Sequence, residues 1–290
     1  MVASTLESVR RGYDHSRAVR IIRPATWRNV YGLDAVLRLL EYRDLLFTLS
    51  AHRLSVRYKQ SVLGSAWALL QPLAMMLVFT AVFSRLARMP SEAAPYALFA
   101  YAGLLPWTLF STSVSSGTTS LVANAPLVTK VSFPREILPA TYVVAGLADL
   151  LIASVALVAM LLFYAVPITL HALWVLPIVG LLGAFSLACG MLLSAVQVRV
   201  RDVGIALTVA LQLWMFGSPV LYPLSAVPHS ARWWYILNPM AGMVDGFRRA
   251  VLGQPLDREA LTIAAAITVA LLPVAFAVFK QLDATVADVV

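Results

Sequence analysis

Leu150 to Val198 reads LLIASVALVAMLLFYAVPITLHALWVLPIVGLLGAFSLACGMLLSAVQV, 49 residues without an Asp, Glu, Lys or Arg. A helix needs roughly 20 apolar residues to cross a hydrocarbon core of about 30 Å. This run is therefore two spans, with a hairpin at Pro167-Ile168-Thr169-Leu170-His171. Further charge-free runs flank it on both sides: Ser61 to Ser84, Ala93 to Thr129, Val203 to Ala231 and Ala260 to Phe279. The chain is 60% hydrophobic and 12% charged, against about half and a quarter in soluble domains. Barrel strands would be about 10 residues long and alternating, and these runs are longer and uniformly apolar. The expected fold is all-α and integral to the membrane, with six transmembrane helices at 62–84, 96–120, 138–163, 173–197, 204–224 and 260–279.

Residues 1–60 contain ten Arg and Lys59, half of the 22 basic residues. They lack the short apolar core and small-residue cleavage site of a signal peptide. Positive segments stay cytoplasmic, which puts the N terminus inside, and an even number of spans puts the C terminus inside too. A basic tail beside a bilayer points to the anionic leaflet, not to nucleic acid. From Leu33 a helix is expected. Asp34, Arg38, Glu41 and Thr48 make a polar stripe on it, with Leu33, Val36, Leu37, Leu40 and Phe47 opposite and Arg43 on the apolar side. Such a helix lies in the membrane interface or packs on the protein's own cytoplasmic surface. The chain thus divides into a cytoplasmic Arg-rich tail with an interface helix, 1–60, and a transmembrane domain, 61–290.

Two inside connections follow from this topology, Asn124 to Glu136 and Val196 to Val203. Pro126, Pro134 and Pro139 keep any helix in the first one short. Pro219 to Gly253 is moderately apolar but broken by Pro219, Pro223, Pro228 and Pro239 and by Arg232, Arg248 and Arg249. Two short helices dipping back into the outer leaflet fit this pattern. Irregular backbone at that depth is tolerated only where protein or a water-filled cavity covers it, so the segment is a candidate for pore lining or gating. There is no internal repeat of the kind that marks inverted-repeat transporters.

The missing motifs narrow the function. The three lysines are Lys59, Lys130 and Lys280, and none follows a glycine. The chain therefore has no Walker A loop to cradle ATP phosphates. HExxH, GxSxG and closely spaced Asp pairs are absent, and His15, His52, His171 and His229 are scattered without ligand spacing. Cys189 is the single cysteine, so no disulfide can form within the chain and no cysteine metal cluster exists. Ion-coupled carriers place ionisable residues within their spans. Asp149 is the one clear case, and it reads as a carboxyl hydrogen-bonded to a neighbouring helix. A transporter of this composition draws its energy from a separate subunit.

Arg57-Tyr58-Lys59-Gln60-Ser61-Val62-Leu63-Gly64 leading to Trp67 and Leu70-Gln71-Pro72-Leu73 resembles the start of the first span of polysaccharide-exporting ABC-2 permeases. These are the membrane subunits of O-antigen, teichoic-acid and related capsule exporters. Phe133-Pro134-Arg135-Glu136-Ile137-Leu138-Pro139 is similar to their first cytoplasmic loop. Arg201-Asp202-Val203 with Gln212-Leu213-Trp214 and Ser218-Pro219-Val220-Leu221-Tyr222-Pro223 resembles their fourth-to-fifth span region. Asn238-Pro239-Met240 with Gly246-Phe247-Arg248 resembles their outer re-entrant segment. The matches come in chain order over about residues 50 to 253 and leave 1–30 outside.

The resemblance implies a homodimer in the bacterial inner membrane, six spans per copy and both ends cytoplasmic. It implies a separate nucleotide-binding ATPase subunit that holds ATP and Mg, with no cofactor in this chain. The substrate it implies is a lipid-linked glycan moved outward through a channel at the dimer interface, lined mainly by the first and fifth spans. Met76, Phe79 and Phe83 share one helical face in span one, and Trp214, Ser218 and Tyr222 are each four apart in span five. These six are candidates for the glycan path, with packing as the competing role. Trp107, Trp233 and Trp234 read as interface-belt residues. Lys130, Phe133, Arg135, Glu136, Arg201 and Asp202 are candidates for ATPase coupling, and Asn238, Pro239, Phe247 and Arg248 for an outer gate. Two other functions stay open: an ABC-2 exporter of a drug, haem or lipid, and an intramembrane enzyme of polyprenyl-linked sugar metabolism.

Overall fold

The computed structural model describes residues 42–59, 61–86, 94–131 and 133–289, with side chains omitted at 84–86 and 283–289. The polar stripe expected from Leu33 falls largely outside the described residues. What is described of that region is helix α1, Arg43–Lys59. All regular structure among the described residues is helical.

Five helical stretches are long and apolar enough to cross a membrane: Ala66–Phe83, Tyr96–Thr118, Ile137–Phe163, Leu170–Gln197 and Arg258–Leu282. They match five of the six expected spans to within a few residues, apart from a later start at Ala66. The first is α2, Ala66–Phe79, which continues as a π-helical turn over Thr80–Leu86. The second is α3, Tyr96–Thr118. Short helices α4, Ser120–Ala123, and α5, Ala125–Lys130, form the proline-bounded connection to α6, Ile137–Phe163. The hairpin after α6 starts earlier than Pro167. Ala165 takes a left-handed φ of 53°, and Val166 N–H reaches back to Leu161 O at 3.0 Å, a backbone closure that ends a helix. A 3₁₀ turn, Leu170–Trp174, then leads into α7, Val175–Gln197.

The fifth expected span is shorter than 204–224. Helix α8, Val203–Phe216, has 14 residues, a rise of about 21 Å. It ends at Gly217, and Pro219 cannot continue the hydrogen-bond ladder. The interrupted segment beyond contains two short helices, as its proline spacing implies: α9, His229–Ile236, and α10, Pro239–Val251. Helix α10 is almost wholly buried, Asp245 and Arg248 included. Helix α11, Arg258–Val289, carries Pro273 in its interior.

Helix α3 is the centre of the bundle, packed by α2, α6, α7, α8 and α10. It is the most buried of the five long helices, and α2 is the least covered. Its Ser, Thr and Gly content suits that position, because small residues let helices approach closely in a membrane protein. Two separate apolar clusters mark opposite ends of the bundle. Leu121, Val128, Leu138, Val198 and Phe279 meet in one apolar cluster, joining α4, α5, the start of α6, the end of α7 and the end of α11. At the other end, Leu224, Ile236 and Ala260 form a second small cluster, and Arg232 Nη2 lies 2.5 Å from Asp257 Oδ2.

Candidate functional site

The carbonyls of Pro219 and Val220, in the irregular chain after α8, are held by Arg248. Arg248, buried in α10, donates from Nη2 to Pro219 O at 2.7 Å and Val220 O at 2.6 Å, and from Nε to Phe99 O at 3.2 Å. Its guanidinium also lies 3.8 Å from the ring centroid of Phe99. A broken helix leaves carbonyls without intrahelical donors, and burial without a partner costs about 1–3 kcal/mol each. Arg248 supplies those donors. Gly103 makes room for it, since a Cβ there would lie 2.2 Å from Arg248 Nη2. Gly242 does the same on the far side of α10, where a Cβ would come within 2.3 Å of Ala260 O.

Asn238 is the second organiser. Its Oδ1 accepts from Met240 N–H at 3.1 Å, capping α10, and from Trp214 Nε1 at 2.9 Å. Its Nδ2 donates to Ser218 Oγ at 2.9 Å and Gly217 O at 3.1 Å. Two channel candidates, Trp214 and Ser218, are thereby bonded to a gate candidate. Pro239 and Phe247 are buried in the same helix. The four gate candidates are built into the packed wall around the break after α8.

The aromatic stripes lie partly in the core. Trp214 packs edge-on against Phe110, with centroids 5.1 Å apart, and against Phe185 at 6.3 Å. Met76 is buried and Ser218 fully so. Phe79 and Phe83 are half-buried, 6.1 Å apart, and Phe83 stacks on Tyr96 at 6.4 Å. Tyr222 is half-buried, donates to Phe216 O at 2.8 Å, and its hydroxyl meets that of Tyr235. Tyr96 joins the two stripes: it stacks on Phe83, and its hydroxyl donates to Leu221 O at 2.8 Å. Sequence reasoning missed Tyr96, which stands one residue after Pro95 at the start of a span and looks like any belt aromatic.

At the opposite end, the coupling candidates occupy two connections. Lys130 is exposed at the end of α5, while Val128 of the same helix is buried among Leu138, Met191 and Phe279, with Phe133 packed alongside. Arg135 is half-buried. Glu136 is buried, and its Oε2 lies 2.6 Å from Lys280 Nζ on α11. Arg201 and Asp202 are exposed between α7 and α8.

Asp149 is hydrogen-bonded to a neighbouring helix, as its lone position implies, and that helix is α1. Arg57 Nη1 lies 2.7 Å from Oδ2, and Tyr58 OH donates to Oδ1 at 2.7 Å. Burial pushes the Tyr58 phenol above its usual range, and the bond to Asp149 pushes the same way. Tyr58 therefore remains a neutral donor. The adjacent pair Arg57-Tyr58 was legible only as part of a motif, since nothing in the spacing joins it to a carboxylate 91 residues away. No group of three or more metal-ligating side chains occurs among the described residues.

A bundle of five membrane-length helices, with the short apolar helix α8 ending over the buried helix α10 and short helices at the other end, has the outline of a transporter subunit. Residues 44–252 match the ABC-2 type transporter family, and this chain belongs to that family. It is 35% identical over 250 residues to the O-antigen export system permease protein RfbA of Myxococcus xanthus, covering 85% of this chain and 95% of the relative. It is 28% identical over 247 residues to the protein of the same name from Klebsiella pneumoniae, with the same coverage. The polysialic acid transport protein KpsM of Escherichia coli is 25% identical over 202 residues, covering 68% of this chain and 76% of KpsM. The chain is a multi-pass membrane protein of the ABC-2 type.

Proposed function

We propose that this chain is the permease subunit of an ABC exporter that moves a lipid-linked, O-antigen-like polysaccharide outward across the bacterial inner membrane. The observation that carries this reading is the near full-length similarity to O-antigen export permeases, which spans 95% of those relatives. KpsM, named for a different polysaccharide, points to the same substrate class. Energy comes from ATP and Mg in a separate ATPase subunit, which docks through α4, α5 and the α7–α8 connection.

The working unit is a homodimer with the channel between copies. Its support is the poor cover on α2 and α8, where Leu77, Val78, Ile205 and Leu213 are exposed. The six spans comprise the five long helices and α8 together with the chain after it, and both termini face the cytoplasm. α9 and α10 together make the re-entrant element. Export of a drug, haem or other lipid, or an intramembrane enzymatic role, predicts unaltered surface polysaccharide in a deletion strain.

The test is deletion of the gene, followed by immunoblotting of surface polysaccharide and purification of the tagged protein from native membranes. Loss of surface glycan, with an ATPase chain copurifying, is the expected result. Intact surface glycan would overturn the reading. For orientation, Ser4→Cys and Ser91→Cys should label from opposite sides of the membrane, and labelling from one side would remove the six-span topology.

A further inference from the structure

Two cavities border α6, one between α1 and α6 and one where the end of α1 meets α2, α3 and α6, and they share Arg57. The first, about 330 Å³, is bounded by His52, Arg53, Arg57, Asn124, Tyr142 and Ala145. The second, about 290 Å³, includes Arg57, Trp67, Gln71, Thr108, Thr112 and Asp149 in its wall. On α6 the first touches Tyr142 and Ala145 and the second Gly146, Asp149, Leu150 and Ala153. Ala145 and Gly146 are consecutive, and together the two sets run from Tyr142 to Ala153, roughly 17 Å of helix rise.

Their chemistry differs. In the first, the Arg53 guanidinium lies 3.9 Å from the Tyr142 ring centroid. Its Nε is buried without a hydrogen-bond partner, and Arg53 forms no ion pair among the described residues. A half-buried cation without a counter-charge is costly unless an anion joins it. His52 adds a donor around the same space, as do the N–H groups of Arg57 other than Nη1, which is bonded to Asp149. A tetrahedral phosphate suits that set, because guanidinium N–H groups match its oxygens.

In the second cavity the charges cancel, since Arg57 and Asp149 form a pair at 2.7 Å. What remains is the exposed amide of Gln71, the hydroxyls of Thr108 and Thr112, and the ring of Trp67, which is 50% exposed. The Thr112 hydroxyl already donates to Thr108 O at 2.7 Å, but an acyl chain there would strand the Gln71 amide. A polyhydroxylated ring would satisfy that amide and lay an apolar face on the indole.

We propose that the two cavities form one binding site for a glycosyl phosphate head group, with phosphate beside Arg53 and Arg57 and the attached sugar beside Gln71 and Trp67. The inference rests on the export reading above and deepens it, because it says where this chain first holds the reducing end of a lipid-linked glycan. Phosphate could also come from bulk phospholipid, and the sugar pocket is what separates the two sources.

The full chain with its ATPase partner, in phosphatidylcholine nanodiscs, allows a direct test. Three probes would be titrated: a short polyprenyl diphosphate carrying one sugar, the same lipid without sugar, and phosphatidylglycerol. The sugar-bearing probe should bind at least threefold more tightly than the sugar-free one, and phosphatidylglycerol weakest. Arg53→Gln should weaken both polyprenyl probes about tenfold, and Arg53→Lys should retain most of the binding. Gln71→Leu should abolish the sugar increment and leave the sugar-free probe unaffected. Equal binding of all three probes, or unchanged binding in Arg53→Gln, would overturn the proposal. If Arg53→Gln does not assemble, photocrosslinking of the sugar-bearing probe to the wild-type protein decides. Labelling within 52–71 or 142–153 supports the site, and labelling elsewhere sinks it. Unchanged binding in Arg53→Gln, in a protein whose deletion removes surface glycan, would discard the site and keep the export function. Deletion that leaves surface glycan intact would discard the export function itself.

Discussion

Arg248 Nη2 lies 2.6 Å from Val220 O, so a side chain in the buried helix α10 carries the backbone at the break after α8. Hydrogen bonds to charged donors are worth about 1.5–3 kcal/mol, and stranding a buried acceptor costs about 1–3 kcal/mol. Arg248→Met should therefore destabilise the protein by several kcal/mol, on the order of two such bonds. The readout is protein level in the membrane and thermal unfolding in detergent. Gly103→Ala should impair the wild-type protein and have a smaller effect on top of Arg248→Met, since its Cβ clashes with the group that has been removed. Full additivity of the two would count against the contact.

Glu136 and Lys280 tie the loop before α6 to the last helix, and the Glu136 side chain is buried. Removing one partner of a buried pair costs about 3–5 kcal/mol, while replacing both by apolar groups is often neutral. Lys280→Met should thus be more damaging than Glu136→Leu combined with Lys280→Met. Equal losses in the single and double variants, measured by thermal unfolding, would show that the pair is not a coupled unit.

Trp214 and the pair Phe83 and Tyr222 should separate in their effects. Trp214 is packed on Phe110 and Phe185 and bonded to Asn238, so Trp214→Ala should lower protein level, at about 3–5 kcal/mol for a large-to-small core change. Phe83→Ala with Tyr222→Ala should reduce surface polysaccharide more than either alone, at near-normal protein level. Export that survives the double replacement at normal protein level would remove these two rings from the glycan path.

Arg135 borders the packed junction of Phe133 and Glu136 at the end assigned to the ATPase. Arg135→Glu should lower copurification of the ATPase subunit and reduce ATP turnover of the complex severalfold. Unchanged assembly together with unchanged turnover would exclude this loop from coupling.

The long apolar runs announced themselves because a span is a local quantity: about 20 apolar residues in a row suffice, whatever surrounds them. The ends of five of the six expected spans fall within a few residues of the observed helices, Ala66 starting late. The end of α8 was not legible, because Val220, Leu221 and Tyr222 are as apolar as the helix before them. Only the neighbouring helix decides whether their carbonyls are satisfied by a helical ladder or by Arg248. The same holds for the aromatic stripes. A spacing of four puts Trp214, Ser218 and Tyr222 in line on an ideal helix, but the helix stops at Phe216, so Ser218 and Tyr222 are placed by Asn238 and Tyr235 instead.

By itself the sequence determined the membrane setting, the helical class, the basic N-terminal side and the absence of an ATP-cradling loop. These depend on composition and on contiguous pattern, which need no partner across the fold. Tertiary structure alone decided that Asp149 answers to Arg57 and Tyr58, that Glu136 answers to Lys280, and that Arg248 closes the break after α8. In each case a buried or part-buried polar group has to be matched, and its match across these bonds lies 28 to 144 residues away along the chain. Low-dielectric surroundings make that matching compulsory, but which residue supplies it is set by how the helices pack.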